Sequence, residues 1–193
     1  LNSGGDLQLN SQFSRQWYDW MRERIAKNEP YDQMMAGIIL ATGRTKLGQT
    51  YEEFAREMSS YFRAENPLKF ADRPNMPYFW QRQNLQKAED KALAFSHSFL
   101  GVRIECAQCH KHPFDRWTQV DYRAWANVFS QVVTGISPDI KKAADALNAE
   151  RKGDKPNNNN VILVREVYLG RPAMNPRRGL TGTLPHPDTG APL

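Results

Sequence analysis

The sequence predicts a mainly α-helical fold in which amphipathic helices surround one short cysteine-containing motif. Three observations lead to this prediction. Apolar and aromatic residues recur at helical spacing in most segments between positions 12 and 133. Both cysteines of the 193-residue chain fall within residues 106–110, which read Cys-Ala-Gln-Cys-His. After residue 153, by contrast, asparagine, proline and glycine dominate, which predicts one short strand or hairpin and an extended Pro/Gly-rich C-terminal tail.

The first part of the chain is predicted to form three helices. Apolar residues at helical spacing predict the first over residues 12–27 and the second over about residues 31–42. Thr50 and Glu53 have the spacing of a capping box and open the third helix. Three prolines then predict a structured loop over residues 64–77.

Two further helices flank the cysteines. The fourth is predicted to end at Leu100, before a glycine, so that the chain turns directly into the motif. Thr118 begins the fifth, whose apolar face continues to Val132 or Val133. A polar helix rich in alanine and lysine follows over residues 139–151.

Length and composition limit the classes of function. We divide the chain into a helical, motif-containing domain over residues 1–152 and a loop, short strand segment and tail over residues 153–193. The net charge of +5 is spread along the chain, and no nucleic-acid-binding motif accompanies it. No run of about 18 apolar residues occurs. The sequence therefore predicts neither nucleic-acid binding nor a transmembrane segment.

The spacing of the motif suits covalent attachment of a c-type haem. Cys106 and Cys109 lie three positions apart, so each thiol can add to one vinyl group of the same porphyrin. The adjacent His110 can then ligate the iron. We therefore predict haem c, with its iron, as the cofactor. Three nearby aromatic side chains are predicted to cover the flat apolar ring: Phe99, Phe114 and Trp117.

Two other kinds of site also use a Cys-x-x-Cys pair. A thioredoxin-like redox pair needs a preceding strand and a helix that starts on it, whereas here a helical pattern and a short link precede Cys106. A zinc site needs a second pair of soft ligands, and the residues left outside the motif are His97, His112 and His186. Haem attachment is therefore the favoured interpretation.

The sequence leaves the second axial position of the iron open. His112 follows His110 so closely, with Cα atoms within about 7 Å, that it cannot reach the opposite face of the same ring. We favour His97 as the second iron ligand, because a turn before the motif could bring it back over the ring. The alternatives are His186, a methionine such as Met76, and an open position.

The residues around the motif resemble a known family. Residues 99–119, followed by Asp121 and Tyr122, resemble the core of the cytochrome-like DUF1549 domain, also called the planctomycete cytochrome-like PSCyt2 domain. Residues 30–32 resemble an upstream part of that family, and residues 186–190 resemble the segment that leads towards a following DUF1553 domain. The resemblance implies the later portion of a larger exported protein that is mostly helical and haem-associated. It implies no settled reaction.

The sequence thus predicts an exported c-type cytochrome domain that carries one covalent haem for electron transfer. Because haem c is attached outside the bacterial cytoplasm, we expect a periplasmic, cell-surface or extracellular location. Expected partners are redox proteins, and the chain could form a homo-oligomer or assemble with other cytochromes. The alternatives are a haem enzyme or redox sensor with an open distal site, and a haem module accessory to another catalytic domain. Electron transfer is favoured over catalysis, because a lone haem c among spare histidines and methionines usually has both axial positions filled.

Overall fold

A computed structural model of the chain describes residues 7–62, 67–81, 85–153, 161, 163–170 and 183–193. The helices are α1 (Leu7–Ala26), α2 (Tyr31–Ile39), α3 (Tyr51–Ser60), α4 (Ala88–Phe95), α5 (Gln119–Val128) and α6 (Lys141–Gly153). The strands are β1 (Val132–Gly135) and β2 (Glu166–Leu169), which pair with each other. The predictions of a mainly helical chain and of a short strand in its C-terminal part are confirmed. None of the helices described is both long and apolar enough to span a bilayer.

Two compact units divide the chain. Unit one comprises Leu1–Phe79 and Gly135–Glu166, and unit two comprises Trp80–Thr134 and Val167–Leu193. The Cys-x-x-Cys-His motif lies in unit two. The predicted division at residue 152 stays a prediction, because much of the sequence that follows it lies outside the described residues.

Unit one has an aromatic core contributed by α1 and α3. Trp20 of α1 and Phe54 of α3 are fully buried. The indole Nε1 of Trp20 donates a hydrogen bond of 2.9 Å to the carbonyl oxygen of Arg73. At the start of α3, Thr50 Oγ1 accepts from the Glu53 amide at 3.2 Å, and Glu53 Oε2 accepts from the Thr50 amide at 2.8 Å. The predicted capping box is therefore confirmed.

A buried arginine holds the loop that follows α3. Nη1 of Arg73, whose side chain is fully buried, donates to Oε1 of Glu57 at 2.7 Å. Glu57 also accepts from Thr45 at 3.0 Å, from Gln49 at 2.6 Å and from Tyr61 at 3.1 Å. Burial has the largest single influence and raises the pKa of Glu57, but the Gln49 hydrogen bond and the Arg73 charge outweigh it, so the pKa is lowered overall. This network ties the loop to α3.

Unit two packs α4 against α5 through a cluster of aromatic rings. The ring of Phe95 lies 5.8 Å from that of Trp125, 5.4 Å from that of Phe129 and 6.3 Å from that of Trp80, measured between centroids. Nε1 of Trp125 also donates to Oγ of Ser96 at 2.9 Å. These contacts fix the position of the helix that leads into the motif.

The chain leaves α4 through a wide turn. Ser96–Leu100 forms a π-helical turn, and Gly101 follows with φ of +64°. The amide of Val102 donates to the carbonyl of Ser96 at 3.1 Å. Glycine adopts positive φ without a steric penalty, which explains why Gly101 ends the helix as predicted. The π-helical turn itself was not predicted.

The end of α5 corrects a prediction. The apolar pattern extended the fifth helix to Val132 or Val133, but α5 ends at Val128 and both valines lie in β1. Valine is β-branched and favours strands, so the apolar sequence continues although the secondary structure changes. The sequence also predicts a strand or hairpin over residues 161–164 and 167–169. The second part is confirmed as β2, whereas residues 161, 163 and 164 lie in no strand, and β2 pairs with β1 instead.

A segment near the C-terminus lies on α5 within unit two. The side-chain amide of Asn127 donates to the Leu184 carbonyl at 2.9 Å and accepts from the Leu184 amide at 2.6 Å. Nη1 of Arg123 donates to the Pro185 carbonyl at 2.8 Å. The described part of the predicted tail is therefore held by polar contacts to α5.

Candidate functional site

The Cys-x-x-Cys-His motif begins on a 3₁₀ turn at the surface of unit two. This turn is Glu105–Gln108, and the amide of Ala107 donates to the carbonyl of Ile104 at 3.0 Å. Ile104 and Ala107 are fully buried and pack against Tyr122 of α5. The inner side of the turn is therefore anchored in an apolar cluster, while its outer side faces solvent.

The two cysteines lie on that outer side. The thiols of Cys106 and Cys109 are both free, and both residues are exposed. The amides of Cys109 and His110 donate to the carbonyl of Cys106 at 3.4 and 3.3 Å, so the turn continues through the histidine. Two accessible thiols and an imidazole are thus presented together by one short segment.

The hydrogen bond of the His110 ring makes this histidine suitable as a ligand. Its Nδ1 lies 2.7 Å from the carbonyl oxygen of Lys111. A carbonyl can only accept, so in the neutral ring Nδ1 carries the proton and Nε2 keeps its lone pair. Hydrogen bonding of the other ring nitrogen to a carbonyl is how metal-binding histidines are commonly oriented. His110 can therefore bind a metal through Nε2.

The other three histidines of the chain are engaged differently. Nδ1 of His112 accepts from the amide of Phe114 at 3.2 Å. Nδ1 of His186 accepts from two amides of its own turn, at 3.2 and 3.3 Å. In both neutral rings Nε2 therefore carries the proton. Nε2 of His97 lies 2.6 Å from Oε1 of Glu105. Of the four histidines, which are all described, His110 alone offers an Nε2 lone pair without breaking these contacts.

The three aromatic residues predicted to cover a ring have different surroundings. Phe99 is half-buried, with its ring 5.0 Å from that of Phe95. Trp117 is half-buried against the apolar cluster beneath the motif. Phe114 is 94 % exposed on the loop after the motif. Phe99 thus belongs to the aromatic cluster of unit two, whereas Phe114 and Trp117 lie just after the cysteines in the chain. Contact of any of the three with a haem stays a prediction.

Met76, an alternative iron ligand in the sequence, lies in unit one. It is fully buried, and its amide donates to the carbonyl of Gly37 at 2.8 Å. A thioether without exposed surface cannot contact an external group unless the core opens. Among the described residues, no group of three or more His, Cys, Asp or Glu side chains is arranged to hold a metal ion.

Two further residues of the site were missed in the sequence. Nε2 of Gln119 donates to the carbonyl of Gln108 at 2.7 Å and so joins α5 to the turn. Tyr122 is buried, and its hydroxyl has no hydrogen-bond partner within the described part of the chain. Burial chiefly, and then the nearby Glu89 and Asp90 carboxylates, raise the pKa of Tyr122. Both residues lie in the first turn of α5, whose sequence pattern predicts an apolar helix face and nothing more. The pattern therefore does not show that either residue contacts the motif.

The residues present fit a covalently attached haem. Two free, exposed thiols have the Cys-x-x-Cys spacing that haem c attachment uses, and His110 has its Nε2 lone pair available. Among the described residues the hydroxyl of Tyr122 beneath the turn has no hydrogen-bond partner, which is unusual for a buried polar group, and the apolar side chain of Phe114 is 94 % exposed. Cys106, Cys109 and His110 would hold the group.

Fold and site together define a mainly helical domain with a Cys-x-x-Cys-His turn at its surface. A family model described as "PSCyt2: Protein of unknown function (DUF1549)" matches residues 2–134. The match covers more than half of the chain and includes the whole motif. The chain therefore belongs to the PSCyt2 (DUF1549) family, which confirms the resemblance seen in the sequence. Searches of curated proteins and of solved structures returned no match.

Proposed function

We propose that this chain is a c-type cytochrome domain that carries one covalent haem and transfers single electrons in the cell envelope. One observation carries the proposal: two free, exposed thiols share a turn with a histidine whose Nε2 is available for iron. Export is part of the proposal, because haem c is attached outside the bacterial cytoplasm. The location is thus periplasmic, at the cell surface or extracellular.

The cysteines and the histidine of the turn have different roles in holding the haem. Cys106 and Cys109 would hold the haem through two thioether bonds, each made by addition of a thiol S–H across a vinyl group with no atom lost. His110 would bind the iron through Nε2, because the Lys111 carbonyl keeps the proton of its ring on Nδ1. The bound haem supplies a reversible one-electron iron couple.

The exposed position of the turn supports electron exchange with other proteins. Cys106, Cys109 and His110 are all exposed, so a group held by them is accessible to a docked partner. We propose redox proteins of the envelope as these partners. The basic charge of the chain is compatible with acidic ones.

A redox titration tests the proposal. The chain is expressed in a bacterial periplasm together with a haem c maturation system, and its absorption is followed against potential. We expect a reversible couple that fits one electron. The matched control is the double variant Cys106→Ala/Cys109→Ala, which should carry no covalent haem and give no couple. An equal signal from both proteins, or no haem in either, contradicts the proposal.

A haem enzyme or sensor with an open distal site is the second candidate function. The hydrogen bonds of His97, His112 and His186 favour it, because none of these rings offers a free Nε2 lone pair. A low-spin absorption spectrum at rest supports the closed electron carrier. A high-spin spectrum with rapid binding of carbon monoxide to the reduced protein supports the open site.

A further inference from the structure

We infer that Glu105 is a positioning residue that competes with the haem iron for His97, so that the second axial position is exchangeable. The inference rests on the proposed haem attachment and specifies how its distal site is regulated. The ligands admitted when His97 is held away are small neutral donors such as imidazole or carbon monoxide.

The contact between the two side chains is short and specific. Nε2 of His97 lies 2.6 Å from Oε1 of Glu105. A carboxylate can only accept, so Nε2 carries a proton in this contact. Haem iron binds the lone pair of an imidazole nitrogen. His97 therefore cannot bind iron through Nε2 while it remains with Glu105.

The backbone brings this pair to the edge of the haem motif. His97 lies in the π-helical turn Ser96–Leu100, and the positive φ of Gly101 reverses the chain after it. Glu105 directly precedes Cys106 on the 3₁₀ turn. Short π-helical segments are frequent at functional sites. The π-helical turn therefore places His97, a potential iron ligand, beside Glu105, the residue that directly precedes Cys106.

His97 differs from the other two spare histidines in what holds it. His112 and His186 accept hydrogen bonds from backbone amides of their own loops, at 3.2 Å or more. Those contacts reach only two or three residues along the chain, so they keep each ring within its own loop. Within the described part of the chain, His97 is held by one side chain, that of Glu105, which is itself partly exposed. It is therefore the histidine that can exchange between a carboxylate and iron.

The exposure of the pair makes the exchange reversible. The side chains of His97 and Glu105 are 41 % and 43 % exposed. Exposed ion pairs contribute little because water competes with both partners, which corresponds to an equilibrium shift of about two- to fivefold. The contact with Glu105 is thus strong enough to shift the equilibrium of His97 away from iron, but too weak to prevent His97 from binding it.

Removing the carboxylate tests the competition. In the haem-loaded Glu105→Ala variant His97 occupies iron more often, so we expect the low-spin fraction to rise about two- to fivefold relative to the high-spin fraction. Added imidazole should bind more weakly by the same factor. Glu105→Gln keeps a neutral acceptor and should give a smaller shift. The matched control is Asp115→Ala, which should give none. Among the described residues this carboxylate bonds only to the neighbouring Arg116 amide, at 2.6 Å.

A second background shows whether the effect passes through His97. In the His97→Ala chain, adding Glu105→Ala should leave the spin state and the imidazole affinity unchanged. An equal effect of Glu105→Ala with and without His97, or no effect in either, overturns the inference. Long-range ¹⁵N–¹H NMR of the haem-free chain gives a separate readout, in which the His97 proton should be found on Nε2. A proton on Nδ1 alone also overturns it.

The outcomes separate this inference from the proposed function. A chain that acquires no covalent haem refutes the proposed function, and the inference falls with it. A chain that acquires haem but shows no response to Glu105→Ala refutes only the competition between Glu105 and iron.

Discussion

His110 acquires its proposed role from one hydrogen bond. The Lys111 carbonyl fixes the proton on Nδ1 and leaves the Nε2 lone pair available, whereas the amide of Phe114 does the reverse for His112. Two histidines two residues apart are therefore not equivalent. The motif predicts which of them binds iron, and the hydrogen bonds supply the physical reason.

Replacing His110 separates attachment from ligation. In His110→Ala the two cysteines remain, so the pyridine haemochrome of the denatured protein should keep the band position of a haem with two thioethers. The native absorption spectrum should change, because the iron loses its proximal nitrogen. His112→Ala is the matched control and should keep the native spectrum. A native spectrum that is unchanged in His110→Ala would show that another residue is the ligand.

Glu57 is a polar residue whose loss should weaken unit one. It neutralises Arg73, whose side chain is fully buried. Glu57→Gln leaves that charge without its counter-ion, and because 20 % of the Glu57 side chain is exposed, we expect a loss of about 2–3 kcal/mol, below the range for a deeply buried pair.

A control for Glu57→Gln lies on the same helix. Glu52 pairs with Arg56 at 2.8 Å, with both side chains about half exposed. Glu52→Gln should therefore cost about 0–1 kcal/mol. Urea unfolding of the three proteins measures both differences. Equal losses from the two variants would mean that the buried network adds nothing.

At the scale of elements, the two capping boxes begin helices in different units. Thr118 Oγ1 accepts from the Asp121 amide at 3.2 Å, and Asp121 Oδ2 accepts from the Thr118 amide at 2.9 Å. Thr50 and Glu53 do the same for α3. Each box satisfies amides that have no backbone acceptor within the helix.

The same substitution in each box tests whether the caps act locally. Thr118→Ala should destabilise α5 by about 1 kcal/mol, and Thr50→Ala should do the same for α3. Hydrogen exchange followed by mass spectrometry reads the two helices separately. We expect faster exchange at the start of the helix that lost its cap, with the other helix serving as the internal control. Loss of protection in neither helix contradicts the role of the caps.

The elements also show which features a sequence can predict. Thr50, Thr118 and Gly101 act on their immediate neighbours, so their helix boundaries were predicted correctly. Strand β1 was wrongly assigned to a helix, because Val132 and Val133 fit both periods and only pairing with β2 decides between them.

In the candidate site, too, the sequence predicts some residues and not others. Cys106, Cys109 and His110 are adjacent in the chain, so their spacing alone identifies them. Glu105 was missed as the partner of His97, because the π-helical turn that joins them has no signature in the local sequence. Contacts that depend on a non-standard turn are accessible only from the structure.

At the scale of the whole molecule, several carboxylates stabilise the fold only when ionised. Hydrogen bonds from the Thr50 backbone and side chain lower the pKa of Glu53. The Thr118 side chain and then its backbone lower the pKa of Asp121. For Glu57, burial raises the pKa, but hydrogen bonds and the charge of Arg73 outweigh it and lower the pKa overall.

These shifts predict a protein that acid destabilises. A pKa that is lower in the folded chain than in the unfolded one adds stability above the unfolded value, and that stability is lost as the pH falls through the folded value. We expect the thermal midpoint to decrease as the pH drops below about 4.5, the ordinary glutamate value. Glu57→Gln should flatten this decrease, because it removes one titrating group. A midpoint that is constant or rises from about pH 5 to about pH 3 contradicts the prediction.

The central claim is that a haem becomes covalently bound to Cys106 and Cys109. Intact mass spectrometry under denaturing conditions tests it most directly, on chain produced together with a haem c maturation system. We predict that the wild-type chain has the mass of its polypeptide plus one haem, and that Cys106→Ala/Cys109→Ala has the mass of its polypeptide alone. A wild-type chain with the bare polypeptide mass, from cells that load another c-type cytochrome correctly, would contradict the account.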